Sequence, residues 1–177
     1  MKRRDFLVSS LKGIAVIGAA SFLPSFVSAK EKGLSVLRIA TPEDSQAIID
    51  YWNANLVSAS ERVGKPLSPM GLNWLDKFFQ GGYIIFHEDN LLLCVLERGD
   101  KSVVEYCWSS GVVALKSGLV FMAVEANRRN SSKITGIVRK EGSLAQFLDL
   151  MGINEEQNHG IYSTYCDTPD NFILKLS

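Results

Sequence analysis

The stretch from Cys107 to Ile153 constrains the fold more than any other part of the chain, because it carries three structural patterns in immediate succession. The first is an apolar residue at every third or fourth position, which predicts one buried face of a long α-helix. Alternating β-branched residues then predict a strand at Lys133–Arg139. A second helical pattern begins at Ser143 and ends at Gly152, a glycine of the kind that terminates helices. The apolar positions of the long helix are Val112, Leu115, Leu119, Met122 and Ala126.

The loop before the long helix contains two serines and a glycine. Ser109 and Ser110 are predicted to cap the helix, because a serine oxygen accepts hydrogen bonds from the unpartnered N–H groups of a helix start. Gly111 is predicted to allow a tight turn of the backbone there. The strand that leads into this loop, Ser102–Trp108, carries one carboxylate, Glu105.

The residues before this stretch predict a strand, two helices and three antiparallel strands. The strand Val36–Ala40 is followed by a helix start with Thr41 as N-cap and Pro42 at the first helical position. A break at Gly64–Pro66 separates this helix from a second one, which is predicted to begin at Ser68. The three strands are short, and turns rich in Asp, Asn and Gly join them as in antiparallel hairpins. They are Tyr83–His87, Leu91–Glu97 and Ser102–Trp108.

The C-terminal residues predict a final hairpin. Its strands are Asn158–Cys166 and Phe172–Leu176, and its turn is Thr168-Pro169-Asp170. The complete order is then β-α-α-β-β-β-α-β-α-β-β. This order predicts an α+β fold with a mixed, mostly antiparallel sheet flanked by helices on both faces.

The N-terminus, Met1–Ala29, has the composition of an export signal: a charged head, a mildly apolar middle and small residues before a cleavage site. Its Arg3-Arg4-x-Phe6-Leu7 sequence resembles the twin-arginine leader, which implies a periplasmic protein. An ordinary secretory signal and an uncleaved membrane anchor are the alternatives. We expect cleavage after Ala29, so that residues 30–177 form the mature domain, with no membrane span of its own.

Composition excludes several other classes of protein. The formal net charge of the whole chain is zero, so there is no basic surplus to predict binding of nucleic acid. Two distant histidines and three cysteines without a CxxC spacing predict no metal site. A short turn at Gly99-Asp100 would place Glu105 opposite Cys94, with Cys107 on the diagonal, and we therefore expect these cysteines to be free or buried thiols.

The order of elements over Val36–Ser177 resembles the whole fold of the GNAT N-acetyltransferases, which transfer an acyl group from acyl-CoA to an amine. The resemblance implies acetyl-CoA or another acyl-CoA as cofactor, and a small molecule or protein as the acceptor amine. The pyrophosphate would lie on backbone N–H groups at the start of the long helix. The implied cofactor-binding residues are Ser109, Ser110, Gly111, Val112 and Val113.

The match to the family's cofactor loop is incomplete. Trp108 stands where the family has a basic or amide residue, and Val113 stands where it has a small one. Leu148 occupies the position of the usual catalytic tyrosine. Tyr162 and Tyr165 in the final hairpin could take over the role of this tyrosine, or they could simply pack.

Glu105 is the candidate general base, because GNAT enzymes use a carboxylate on a central strand to take the proton of the amine. By strand alternation it would share a face with Val103 and Cys107, opposite Tyr106 and Trp108. A solvated or ion-paired role for this carboxylate is the alternative, since an unpaired buried charge is costly.

Two functions remain in competition. The first is an acyl-CoA-dependent N-acyltransferase with a degenerate cofactor loop. The second is a non-catalytic exported protein that reuses the fold to bind a partner or a small ligand; a structural protein of the cell envelope has less support. The incomplete loop, the missing tyrosine and the export signal favour the second function, since acyl-CoA is made in the cytoplasm. Fold alone does not decide between them.

Overall fold

The computed structural model describes residues 37–87 and 90–177. They form one seven-stranded sheet in the order β1-β2-β3-β4-β5-β7-β6. The only parallel neighbours in this sheet are β4 and β5. The strands are β1 Arg38–Ile39, β2 Gly82–His87, β3 Leu91–Arg98, β4 Lys101–Ser109, β5 Lys133–Arg139, β6 Glu155–His159 and β7 Tyr162–Asp167. The helices are α1 Ser45–Val63, α2 Leu72–Gly81, α3 Val112–Arg128, α4 Ser143–Leu150 and α5 Pro169–Leu176, and a 3-10 turn at Pro42–Asp44 precedes α1.

The predicted fold class, α+β with a mostly antiparallel sheet flanked by helices, is confirmed, and so are all the predicted elements up to Leu150. The predicted leader Met1–Ala29, the strand residue Val36 and the turn residues Glu88-Asp89 lie outside the described residues. Within the described part of the chain, no helix is both long and apolar enough to cross a membrane.

The predicted final hairpin is wrong in both strands: Asn158–Cys166 is divided between the end of β6 and most of β7, and the second predicted strand is helical. The hairpin turns earlier, at Gly160, whose φ of 73° lies in the left-handed region that favours glycine. Phe172–Leu176 is the end of helix α5 and not a strand. The helix begins here because Thr168 is its N-cap, accepting a hydrogen bond from the amide of Asn171 at 3.2 Å, and Pro169 follows at the first helical position.

The second helix begins at Leu72 rather than at the predicted Ser68. The intervening residues are instead bonded to α1. The indole N–H of Trp52 donates to the carbonyl of Ser68 at 3.2 Å, and the side chain of Asn53 bonds both the N–H and the C=O of Met70. These bonds occupy the backbone groups that an earlier helix start would need.

Each face of the sheet carries its own apolar core. Helices α1 and α2 cover one face, and α3, α4 and α5 cover the other. The first core is built around Ile48, Trp52, Leu75, Phe78, Ile84, Phe86 and Trp108. The second is built around Leu91, Leu93, Leu119, Met122, Ile134, Leu148, Phe172 and Leu176.

A β-bulge in β4 changes the predicted strand register. Cys94 pairs with Tyr106 and Val95 with Val104, so Glu105 is an extra residue with no partner on β3. The prediction that Glu105 lies opposite Cys94 is therefore wrong, and so is the prediction that Val103 and Cys107 share a face. The reason is that the extra residue reverses the alternation of side chains on either side of it.

The expectation that Cys94 and Cys107 are free or buried thiols is confirmed, and Cys166 is unbridged as well. Cys94 belongs to the core under α1 and α2, whereas Cys107 packs against the opposite core. The two sulfur atoms therefore lie on opposite sides of the sheet. Burial raises the pKa of both thiols, that of Cys107 to about 12, so neither is a reactive thiolate at neutral pH.

Helix α5 is fastened by the buried carboxylate of Asp167. It accepts hydrogen bonds from Lys175 at 2.6 Å, from the side chain of Asn171 at 2.7 Å and from the amide of Thr168 at 2.9 Å. Burial acts to raise the pKa of Asp167, but these bonds outweigh it and hold the pKa below its usual value. The ammonium of Lys175 also donates to the carbonyl of Gly152, which connects α5 to the end of α4.

We expect Asp167→Asn to lower the free energy of unfolding by roughly 1.5–3 kcal/mol at pH 7, because a charge-assisted hydrogen bond is lost. Since the folded pKa is depressed, this stabilisation is present above the unfolded pKa of about 3.9 and is lost as the pH falls through the folded value. Urea unfolding of both proteins at neutral and acidic pH measures this. A difference between them that does not shrink in acid would contradict the assignment.

Candidate active site

Strands β4 and β5 separate part-way along their length. They pair only from Lys101–Val104 on β4 to Lys133–Gly136 on β5. Beyond that point β4 continues along β3 to Ser109, while β5 continues along β7 to Arg139. The separation starts at the bulge residue Glu105, as expected from the bend and extra twist that a bulge introduces. We call the space between residues 105–109 and 137–139 the strand gap.

The strand gap is a place where an extended ligand can bind. The backbone N–H and C=O groups on the facing edges of the gap have no ladder partner in the opposite strand, and such groups need a hydrogen-bond partner. Helix α3 begins directly after the end of β4, so its N-terminus stands at the same end of the sheet as the gap.

The start of helix α3 offers backbone amides to an anion. Gly111 is the N-cap, and the N–H groups of Val112, Val113 and Ala114 in the first turn have no intrahelical acceptor. The side chains of Val112 and Val113 are 58% and 72% exposed, so this turn is open to solvent. Unpartnered amides at the positive end of a helix dipole are the geometry that attracts anions, and the binding of a pyrophosphate here stays a prediction.

Three details of the predicted loop are corrected. Gly111 makes no tight turn, because its φ of −171° is ordinary extended backbone. The serine side chains do not cap the helix either: the hydroxyl of Ser109 donates to the carbonyl of Gly111 at 2.6 Å, and that of Ser110 donates to Asn90 Oδ1 at 3.0 Å. With extended backbone at Gly111, the two hydroxyls bond within the loop and to Asn90 of the β2–β3 turn, and not to the amides of the first helical turn.

Trp108 does not face this anion-binding turn. Its side chain is only 6% exposed and belongs to the core under α1 and α2. The guanidinium of Arg62, near the end of α1, lies over its ring at 4.1 Å from the ring centre. The same guanidinium donates to the carbonyl of Ser109 at 3.2 Å. A cation from a distant helix therefore lies beside the loop that lacks one of its own.

Glu105 lies at the bulge where the strand gap begins. Arg98, at the end of β3, donates to its Oε1 at 2.7 Å, and the carboxylate is 26% exposed. Its second oxygen, Oε2, accepts no hydrogen bond from the described residues. Arg98 follows Cys94 at even spacing along β3 and so extends on the face of α1 and α2, which places the Glu105 carboxylate on that face. Glu105 is therefore held by an ion pair through one carboxylate oxygen, while its other oxygen, Oε2, is available to a ligand.

The two tyrosines of the final hairpin have different environments. Tyr165 is buried and donates to Asp149 at 2.7 Å; burial, with this bond, raises its pKa. Tyr162 pairs with Arg139 at the end of β5, beyond the point where β5 leaves β4, and its hydroxyl donates to the carbonyl of Val63 at 3.3 Å. Tyr165 packs, whereas Tyr162 lies one strand beyond the gap, on β7, with its hydroxyl at the end of α1.

The end of helix α1 spans the strand gap. Arg62 bonds the last residue of β4, as described above, while the guanidinium of Arg139 on β5 donates to the carbonyl of Glu61 at 3.4 Å. Neither arginine was predicted as a site residue from the sequence. No local signal could have found them, because they are separated from their partners by 47 and 78 positions.

The described residues contain no group of three or more His, Cys, Asp or Glu side chains that could hold a metal ion.

Comparison with known proteins gives matches at the level of structure. No family model and no curated protein matches the sequence. The PaiA N-acetyltransferase of Thermoplasma acidophilum, solved in complex with coenzyme A, superposes with a TM-score of 0.60 at 10% identity, covering 75% of this chain and 98% of its own. A GNAT-family acetyltransferase of Listeria monocytogenes gives 0.58 at 12% identity, over 78% and 98%.

A third similar structure is the ribosomal-protein-S18-alanine N-acetyltransferase of Escherichia coli, with a TM-score of 0.50 at 11% identity, covering 75% of this chain and 91% of its own. At such identities the likeness concerns the fold. The matches include nearly the whole of each acetyltransferase. The chain therefore has the fold of the GNAT N-acetyltransferases.

Proposed function

We propose that the protein is an acyl-CoA-dependent N-acyltransferase. The observation that carries the proposal is the strand gap between β4 and β5, which opens next to the free amides of helix α3. One element can hold an extended chain by its backbone, and the other can hold the phosphates attached to it. The fold likeness to a coenzyme A-bound acetyltransferase supports the same cofactor class.

The residues present fit an acyl-CoA. The amides of Val112, Val113 and Ala114 would hold the pyrophosphate, and the open surroundings of Gly111, with no atom within 4 Å of a Cβ placed there, leave room for its approach. Ser109 and Ser110 would act by fixing the loop. When bound, the cofactor would supply an activated thioester. Trp108 adds no charge here, because its ring is packed in the core under α1 and α2, so binding of the pyrophosphate would rest on the amides and the helix dipole.

Glu105 would take the proton of the acceptor amine on its free Oε2, while the ion pair with Arg98 holds the carboxylate in place. Tyr162, on β7 next to Arg139, is the tyrosine that would give the proton of its hydroxyl to the departing sulfur of the cofactor; this hydroxyl is half-buried and bonds only the backbone carbonyl of Val63, which it would have to release. Tyr165 is not available for this role, because its hydroxyl is bonded to Asp149 in the core.

The test is a calorimetric titration of the purified protein with acetyl-CoA. We expect a dissociation constant on the order of micromolar. Pantetheine, which lacks the phosphates, serves as the control ligand and should bind more weakly. Millimolar or absent binding of acetyl-CoA would overturn the proposal.

The second candidate function is non-catalytic binding within the same fold. Two observations favour it: Trp108 is packed away from the loop, and buried Leu148 fills the position of the family's tyrosine. Acetyl-CoA binding without release of free thiol in the presence of a broad set of amines would support this function instead.

We further infer export through the twin-arginine route, with a periplasmic mature protein. The support is the Arg3-Arg4-x-Phe6-Leu7 sequence of the leader. A passenger of this route folds before export and can carry a bound ligand with it, which would give an exported transferase access to a cytoplasmic donor. Changing Arg3 and Arg4 to lysine should leave the precursor in the cytoplasm. Unchanged export would indicate the general secretory route.

A further inference from the structure

Two arginines of the described chain have no acidic partner, and both are at the strand gap. Of its six arginines, Arg38, Arg98, Arg128 and Arg129 form ion pairs with carboxylates. Arg62 and Arg139 bond only backbone carbonyls, those of Ser109 and Glu61. Arg62 lies at the end of α1 and reaches the last residue of β4, whereas Arg139 lies on β5 and reaches the end of α1.

A third cation joins them. The ammonium of Lys65, just beyond the end of α1, lies 5.7 Å from the ring centre of Tyr162. Tyr162 is the strand partner of Arg139, and its hydroxyl bonds the carbonyl of Val63. No described carboxylate forms an ion pair with Lys65. We call Arg62, Lys65 and Arg139 the cation cluster.

Stabilisation of helix α1 accounts for only part of this charge. A helix C-terminus carries roughly half a negative charge, which one cation already balances. The nearest acidic side chain in sequence is Glu61, which is exposed and makes no ion pair among the described residues, and Glu105 is paired with Arg98. The three cations outnumber the negative charge of Glu61 and of the helix C-terminus, so an excess of positive charge remains beside the strand gap.

The cluster lies on the same face of the sheet as the Glu105 carboxylate. Arg62 stacks on Trp108, whose side chain is in the core under α1 and α2. The phosphate-binding amides of Val112–Ala114 begin the helix that covers the opposite face. A ligand held by the cluster would therefore approach Glu105 on the face of the sheet that carries α1 and α2. This is the face opposite to helix α3, and it is where the acceptor would bind.

We propose that the acceptor is a small amine that also carries a carboxylate, such as an amino acid, and that the cation cluster binds this carboxylate. The inference rests on the proposed acyl transfer. Planar guanidinium groups bind carboxylates through paired hydrogen bonds, and Arg62 and Arg139 are already held in position by backbone carbonyls. Positive charge beside the amine also disfavours its protonated form, which leaves more of the neutral nucleophile.

The test compares amino acids with their carboxamides, in which a neutral amide replaces the carboxylate; because the amide also makes the amine less basic, the wild-type preference is judged against that of the variant. Release of free thiol from acetyl-CoA gives kcat/KM for each member of a pair. We expect the wild-type protein to prefer the carboxylate by about 10- to 100-fold. In a protein with both Arg62→Gln and Arg139→Gln, the ratio of the kcat/KM of the amino acid to that of its carboxamide should fall to nearly one. Lys101→Gln, at the other end of β4, is the matched control and should keep the preference.

A preference that persists in the double variant would overturn the proposal. So would a loss of acetyl-CoA affinity in that variant as large as the loss of preference, because the cations would then serve the cofactor's phosphates. The single variant Arg139→Lys keeps the positive charge and is less prone to misfold than the double variant. It should retain part of the preference for the carboxylate.

Direct binding separates this inference from the proposed function. Without any turnover, thermal unfolding with the amino acid and with its carboxamide reports the carboxylate site alone. Stabilisation by the amino acid only, abolished in the double variant, supports the site even where acyl transfer fails. Equal stabilisation by both members of the pair contradicts it.

Discussion

Glu105→Gln is expected to lower kcat/KM for acetyl transfer by roughly 10²- to 10⁴-fold, the usual contribution of a positioned general base. Glutamine keeps the size of the side chain and can still bond Arg98 through its amide oxygen, but it cannot accept the proton of the amine. Acetyl-CoA affinity should stay the same, because the amides that would hold the phosphates belong to Val112–Ala114. Thiol-release kinetics, calorimetry and thermal unfolding together measure these three quantities.

Glu156→Gln is a suitable control, since Glu156 also forms an ion pair on the sheet, with Lys133, but on the edge strand β6 away from the strand gap. It should leave the rate unchanged. A Glu105→Gln protein that retains more than about a tenth of the wild-type rate would show that the carboxylate only pairs with Arg98. The basic amine would then lose its proton to water or to another group.

The fold was predictable because it rests on local patterns. The helical spacing from Val112 to Ala126 and the alternation in Lys133–Arg139 each specify one element. The C-terminal glycine at 152 was predictable for the same reason: its φ of 70° is the left-handed conformation that ends a helix. Helix α5 was missed although Thr168-Pro169 repeats the signal recognised at Thr41-Pro42, because only eight residues follow and their apolar pattern is ambiguous between helix and strand.

The site was predictable only where it is continuous in sequence. Glu105 and the loop from Ser109 to Val113 follow one another along the chain, so their association with one end of β4 required only the strand-loop-helix order. The bulge at Glu105 could not be predicted, since it depends on which side chains of β3 and β4 pack on each face. Arg62 and Arg139 reach the gap from separate elements, and only the tertiary structure brings them together.

Trp108 is the residue that departs most from the family's cofactor loop, and the structure explains its presence by packing. We expect Trp108→Ala to reduce the free energy of unfolding by roughly 3–5 kcal/mol, as for other large aromatic residues removed from a core. The ring is 6% exposed and has the guanidinium of Arg62 over its face, so its loss would leave both a cavity and an unsupported cation. Urea unfolding measures the change.

The substitution Trp108→Arg distinguishes two explanations for Trp108. Either it is a core residue needed for stability, or it replaces a basic residue that the cofactor loop has lost. The new guanidinium would lie beside that of Arg62, so we expect a further loss of stability and no gain in acetyl-CoA affinity, since the side chain points away from the amides of helix α3. Val113→Ala, in the same loop but 72% exposed, is the matched control and should change stability by less than about 0.5 kcal/mol. If Trp108→Arg instead strengthened acetyl-CoA binding at unchanged stability, position 108 would be a lost basic residue of the cofactor loop, because its side chain could then leave the core without cost.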